Sequence, residues 1–104
     1  MQFEVLKAWQ KARELTNGIY QICKTAPLQN DFGLRDQLQR AEVSAMTNLA
    51  EGFDRAGEVK SLLYVSQDNH LADKTSLQKL NALAIEVSAL SQGLINSFNR
   101  RRME

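Results

Sequence analysis

The sequence predicts an all-α protein, an antiparallel up-down-up-down four-helix bundle with a shortened third helix. Three observations carry this. Apolar residues recur at three- and four-residue steps along most of the 104 residues, the signature of helices with one buried face. The single proline, Pro27, stands between two such segments, where a residue without an N–H ends a helix. No stretch alternates apolar and polar residues as a half-buried strand does.

The first helix is expected from about Phe3 to Lys24. Phe3, Val5, Trp9, Ala12, Leu15, Ile19, Tyr20, Ile22 and Cys23 fall on one side, and Gln10, Glu14, Asn17, Gln21 and Lys24 on the other. Trp9 and Tyr20 are thereby assigned to the core. The second helix is expected from near Gly33 to Gly52, with Gly52 as a left-handed terminator. Leu34, Leu38, Ala41, Ala45, Leu49 and Phe53 form its apolar arc. A third, shorter helix follows from Gly57 to Asp68, with Val59, Leu62, Leu63 and Val65 as its apolar residues. Asn69 to Asp73 reads as a turn, with Asp73 an N-cap and His70 an exposed turn residue.

The fourth helix, Lys74 to about Asn99, has the most regular pattern. Leu77, Leu80, Ala84, Val87, Ser91, Leu94 and Phe98 alternate by three and four, a seam that packs on neighbouring helices at a shallow angle. At about 1.5 Å per residue it is roughly 39 Å long and the third only about 18 Å. The third cannot cover the fourth, so a second copy or a fused second and third helix is expected to shield the remainder, which favours a homo-oligomer.

Composition narrows the function classes. Hydrophobic residues make up 43% and charged residues 24%, ordinary for a globular protein, and the length fits one domain, residues 1–104. Thirteen Lys and Arg oppose twelve Asp and Glu, for a net charge of +1, so only clustering can decide for or against a polyanion. One cysteine, Cys23, forms no internal disulfide and suits a reducing, cytoplasmic setting. No signal peptide and no membrane span is expected.

Two residue sets could carry function. Gln37, Arg40, Ser44, Asn48 and Glu51 share a polar arc if one helix holds them all. Arg40, Ser44, Asn48 and Glu51 then lie in a narrow sector, Arg40 suiting a phosphate or carboxylate and the others giving directional hydrogen bonds. The same residues also read as a structural network fixing helix register or joining subunits. The second set is basic: Lys7 and Lys11, four apart on the first helix, Arg40 and Arg55, and the terminal Arg100, Arg101 and Arg102. Repeated by symmetry, they would strengthen a field for RNA or DNA phosphates; taken singly, they read as a solvated face and a helix-dipole complement. A lone His70 makes no multi-histidine metal site, and no phosphate loop or zinc spacing is present. No catalytic residue, metal or cofactor is assigned, and the chain is read as non-enzymatic. A protein-interaction scaffold with no nucleic-acid role is the alternative.

The segments Phe3-x-x-Leu6-x-x-Trp9-x-x-Ala12-x-x-Leu15, Phe32-Gly33-Leu34-x-x-Gln37-Leu38-x-Arg40-Ala41-x-x-Ser44 and Asn48-Leu49-Ala50-Glu51-Gly52-Phe53-x-Arg55 resemble the 23S rRNA intervening sequence proteins. The resemblance is dense over the first half of the chain and loose beyond it. It implies an antiparallel four-helix bundle that assembles into a homopentamer, with nucleic acid or a partner protein as associates. Against that family the stretch between Arg55 and Tyr64 is several turns shorter, a departure at the usual third helix and from the standard ring.

Overall fold

The computed structural model describes residues 3–45 and 49–103, with side chains described for residues 3–41, 54 and 56–102. Among them stand four α-helices: α1, Phe3–Ile22; α2, Phe32–Ala45; α3, Leu49–Asp68; and α4, Lys74–Met103. A single 3-10 turn, Leu28–Asn30, precedes α2.

Each helix packs on two others in cyclic order, α1 on α2 and α4, α3 on α2 and α4. Lys11 reaches Glu86 at 3.9 Å, and a side chain built at Gly18 would strike Leu80. Rising numbers on α1 thus meet falling numbers on α4, so the two run antiparallel. Asn81 Nδ2 donates to Tyr64 Oη at 3.4 Å, which folds α3 and α4 into a hairpin about the turn at residues 69–73.

Side chains of all four helices meet in one core. Leu15 and Ile19 of α1, Leu38 of α2, Val59 and Leu63 of α3, and Leu77, Ala84 and Val87 of α4 are all buried. On α1 the buried set is Ala8, Ala12, Leu15, Ile19 and Ile22, spaced four, three, four and three, which keeps one narrow stripe facing inward. The α4 seam is buried as the spacing predicts, from Leu77 through Ser91 to Leu94.

Local chemistry sets the helix ends. Asp31 Oδ1 accepts from Leu34 N–H at 3.2 Å, and Asp73 Oδ2 from Ser76 N–H at 3.0 Å, so each carboxylate satisfies a backbone donor that the first turn leaves open. The α1–α2 and α3–α4 links are tied together where Leu28 N–H donates to Leu71 C=O at 2.9 Å. At the end of α3, His70 takes a φ of 54°. Leu71 N–H reaches back to Ser66 C=O, and His70 N–H to Gln67 C=O. This is a Schellman cap with histidine in the left-handed position that glycine normally fills. A side chain there costs roughly 1–2 kcal/mol. His70→Gly is therefore expected to stabilise the protein by about 1 kcal/mol, raising the melting temperature by roughly 4–8 °C; calorimetry showing no rise would contradict the cap.

Several expectations need correction. The second helix does not run to Gly52; α2 ends at Ala45 and α3 already begins at Leu49. Gly52 lies inside α3 rather than ending a helix. A glycine in a helix interior costs only about 1 kcal/mol, and burial of Ala56, Val59 and Leu63 on the same helix outweighs that. The third helix consequently has 20 residues, as many as α1, rather than the twelve-residue segment expected. It runs about 30 Å against about 45 Å for α4. With this longer α3, the α4 seam is shielded within the chain as far as Leu94, and only Phe98 at its end remains 38% exposed. The seam therefore supplies no argument for a second copy. Trp9, assigned to the core, is 43% exposed, and Phe3 is 74% exposed.

Candidate nucleic-acid interface

Of the basic set, Lys7 and Lys11 lie on α1, Arg40 on α2, and Arg100, Arg101 and Arg102 in the last turns of α4. The side chain of Arg55 lies outside the described residues. Lys11 is half-buried and tied to Glu14 at 3.5 Å and Glu86 at 3.9 Å, so much of its charge is spent within the chain. Lys7, Arg100 and Arg102 are exposed. Arg40 is exposed too, its Nε donating to Asp36 C=O at 3.4 Å, but it stands on a different helix from the others.

The start of α1 and the end of α4 meet. Glu4 on α1 and Leu90, Gly93, Ser97, Arg100 and Arg101 on α4 line an open groove of about 370 Å³. Lys7, Lys11 and Arg13 lie along the first half of α1, and the three terminal arginines in the last turns of α4. These are six of the 13 basic residues, opposed in residues 3–13 and 95–104 only by Glu4 and Glu104. The remaining seven basic residues share the rest of the chain with ten acidic ones. The rod is 51 Å long and 20 Å across, and the start of α3, with Asp54 and Glu58, lies at the same end as the start of α1 and the end of α4, so carboxylates stand among the basic residues there.

Exposed rings with a cation over them occur at both ends of the rod, the closest pair being Arg35 over Phe32 at 4.9 Å at the start of α2. Arg13 lies over the Trp9 ring with its guanidinium 5.6 Å from the centroid, and Arg101 over Phe98 at 6.0 Å. Such pairs hold a cation beside an exposed ring at little cost. Sequence reasoning missed Phe3, Trp9, Arg13 and Phe98 as surface residues. A signal was present: Trp9 sits one step, about 100°, from Ala8 on the α1 wheel, and an arginine follows Trp9 by four residues and Phe98 by three.

The polar arc does not survive as one helical sector. Gln37 and Arg40 are exposed on α2, but that helix ends at Ala45, and Glu51 belongs to α3, which folds back on α2. Offsets of eight and eleven from Arg40 therefore no longer fix a common face. The side chains of Ser44, Asn48 and Glu51 lie outside the described residues.

Cys23 and His70 have plain structural accounts. Cys23 is buried, and burial pushes its thiol up to about 11, the nearby Arg35 opposing the rise and Asp36 adding to it. It is thus a neutral thiol at physiological pH and a poor nucleophile. His70 is the helix cap described above. Among the described residues, no group of three His, Cys, Asp or Glu side chains could hold a metal ion. Nor is any helix among them long and apolar enough to cross a membrane.

No curated protein and no solved structure matches the chain. The family model described as 23S rRNA-intervening sequence protein matches residues 4–57, which takes in α1, α2 and the first part of α3. On that match over half its length, together with the four-helix fold, the chain belongs to the 23S rRNA-intervening sequence protein family.

Proposed function

We propose that this protein is a non-enzymatic accessory protein that assembles with copies of itself and binds the phosphate backbone of RNA or DNA. The observation that carries the reading is the run of Arg100, Arg101 and Arg102 in the last turns of α4, with Lys7 exposed on the first turns of α1. Phosphate contacts of this kind give affinity without reading sequence. The name of the family is in keeping with an RNA-related role. Its place of action is the cytoplasm, where a lone reduced thiol is at home.

Assembly draws support from a second surface. Tyr64 and Val65 on α3 and Ile85 on α4 are about half exposed, and Tyr64 meets Asn81, one turn before Ile85 on α4. Each added copy would repeat the basic end and strengthen its field. The alternative reading, a scaffold for a partner protein, uses this same apolar face; co-purification of a protein without nucleic acid would favour it.

Filter binding tests the nucleic-acid reading. RNA and duplex DNA are expected to be retained at low salt, with affinity falling linearly in logarithmic salt; no retention of either would dispose of it. Light scattering tests assembly, with a mass several times 11.8 kDa expected and a single-chain mass contradicting it.

A further inference from the structure

We infer that copies of this chain associate head to tail, the outer face of α1 in one copy seated on the outer face of α3 in the next, with Trp9 lying over Gly57. The inference rests on the assembly reading above and adds the two faces and the side chains that join them.

Each face is a second seam on a helix whose first seam lies in the core. On α1, Leu6, Trp9, Arg13, Thr16 and Tyr20 recur at steps of three and four, a spacing that holds residues to one side of a helix. Leu6 and Trp9 are 40% and 43% exposed. This side looks away from α4. Glu4, Lys11 and Glu14 lie on the α4 side instead, Glu4 in the groove with α4 and Lys11 between Glu14 and Glu86. Arg13 is the only charged residue of the seam.

On α3, Asp54, Gly57, Ser61, Tyr64 and Asp68 repeat the same steps, and all five are exposed. Glu58 is exposed beside them, while Lys60 is partly buried one turn before Tyr64. The α1 seam is thus apolar with one cation, and the α3 seam is acidic around a glycine. In a helix interior glycine is less favourable than any residue but proline. A side chain built at Gly57 would meet nothing within 4 Å, so no close approach inside the chain requires a glycine there. A large group arriving from outside does.

Heights along the rod bring the two seams into step. Lys11 stands beside Glu86 and Gly18 beside Leu80, while Asn81 stands beside Tyr64. Both α1 and α3 run antiparallel to α4, so they run parallel to each other, with Thr16 and Tyr64 at about one height. Counting along both helices, Leu6 is level with Asp54, Trp9 with Gly57, Arg13 with Ser61 and Tyr20 with Asp68. Two copies set side by side without axial shift therefore place the indole over the glycine and Arg13 within one turn of Glu58. The helices α1 and α3 sit at opposite corners of the bundle, each packing on α2 and α4, so one copy can hold a neighbour on either side. Such a contact closes into a ring where the rotation allows it and otherwise grows open-ended.

Charge selects this pairing. Two α3 seams would set carboxylate against carboxylate, and two α1 seams would gain no opposite charge. Only α1 on α3 joins Arg13 to an acidic face. A nucleic acid is turned away from the α3 face by Asp54, Glu58 and Asp68.

Two variants test the contact. Gly57→Tyr fills the space under the indole with no atom of its own chain to displace. Trp9→Glu alters an exposed side chain and sets a carboxylate against the acidic face. Both are expected to fold, as circular dichroism will show, and to weaken self-association in sedimentation by roughly thirtyfold or more. Mixed in equal amounts, they should form a 1:1 complex, because the first variant keeps its α1 face and the second its α3 face. A mixture that stays as single chains overturns the head-to-tail pairing. Variants that assemble as fully as the unaltered protein also overturn it, and the assembly reading then stands. Trp9 is the only tryptophan, so diluting the unaltered protein to single chains should red-shift its emission as the indole enters water; dissociation without a shift contradicts the contact. If the unaltered protein is a single chain even when concentrated, both readings fall.

Discussion

Leu15→Ala is expected to destabilise the protein by about 3 kcal/mol, lowering its melting temperature by roughly 12–24 °C. Leu15 is fully buried at the middle of α1, where it meets the other core side chains. Truncation removes the transfer free energy of three carbons and leaves a cavity that close-packed neighbours fill only in part. A domain of this size commonly has about 5–15 kcal/mol in total, so the loss is a large share of it. Leu6→Ala, on the exposed side of the same helix, is expected to cost less than about 1 kcal/mol. Chemical denaturation of the two variants side by side checks the assignment. Equal losses would mean that the inward stripe of α1 is placed wrongly.

The second large effect concerns binding. Replacing Arg100, Arg101 and Arg102 together by alanine is expected to weaken single-stranded RNA binding about a hundredfold at low salt. It should also reduce the slope of log affinity against log salt by about two. The magnitude follows from counterion release, in which each phosphate neutralised on a single strand contributes about 0.7 to that slope. Stability should change little, because Arg100 and Arg102 are exposed and the three lie past the last buried seam residue, Leu94. Triple replacement of Lys60, Lys74 and Lys79, which sit among carboxylates elsewhere on the rod, is the control and should have a much smaller effect. Equal losses from both triples would mean that the bound strand samples the whole surface.

Much of this fold is legible in the sequence because its strongest signals are local. The α4 seam from Leu77 to Leu94, the Asp73 cap and the break at Pro27 each follow from spacing or from one residue's chemistry, and the structure has them where the pattern puts them. The turn between α2 and α3 is not legible in this way. Gly52 looked like a terminator, yet glycine's preference is weak beside the packing of Ala56, Val59 and Leu63 a few residues on. Moving that boundary lengthens α3, covers the α4 seam and breaks the Arg40-to-Glu51 polar arc.

The candidate site was half legible. The terminal arginines and Lys7 stand out in the sequence, but that they belong to one end of the bundle depends on α1 and α4 running antiparallel, with Glu4 and Arg100 lining one groove. Trp9 was misread for a different reason. A helical wheel places residues within an arc of about 100°, and a residue at the edge of that arc belongs to core or surface according to which neighbours flank it. Ala8 and Ala12 are small, so α1 sits close to its neighbours, and the bulky indole at the margin is left outside.

Ultraviolet crosslinking of a single-stranded RNA to the protein, mapped by mass spectrometry, tests where the strand lies. The predicted crosslinks fall on the start of α1 around Lys7 and on Phe98 to Arg102 at the end of α4. Crosslinks concentrated on the second half of α3 and the first half of α4, around Lys60, Lys74 and Lys79, would contradict the assignment of the terminal arginines as the nucleic-acid surface.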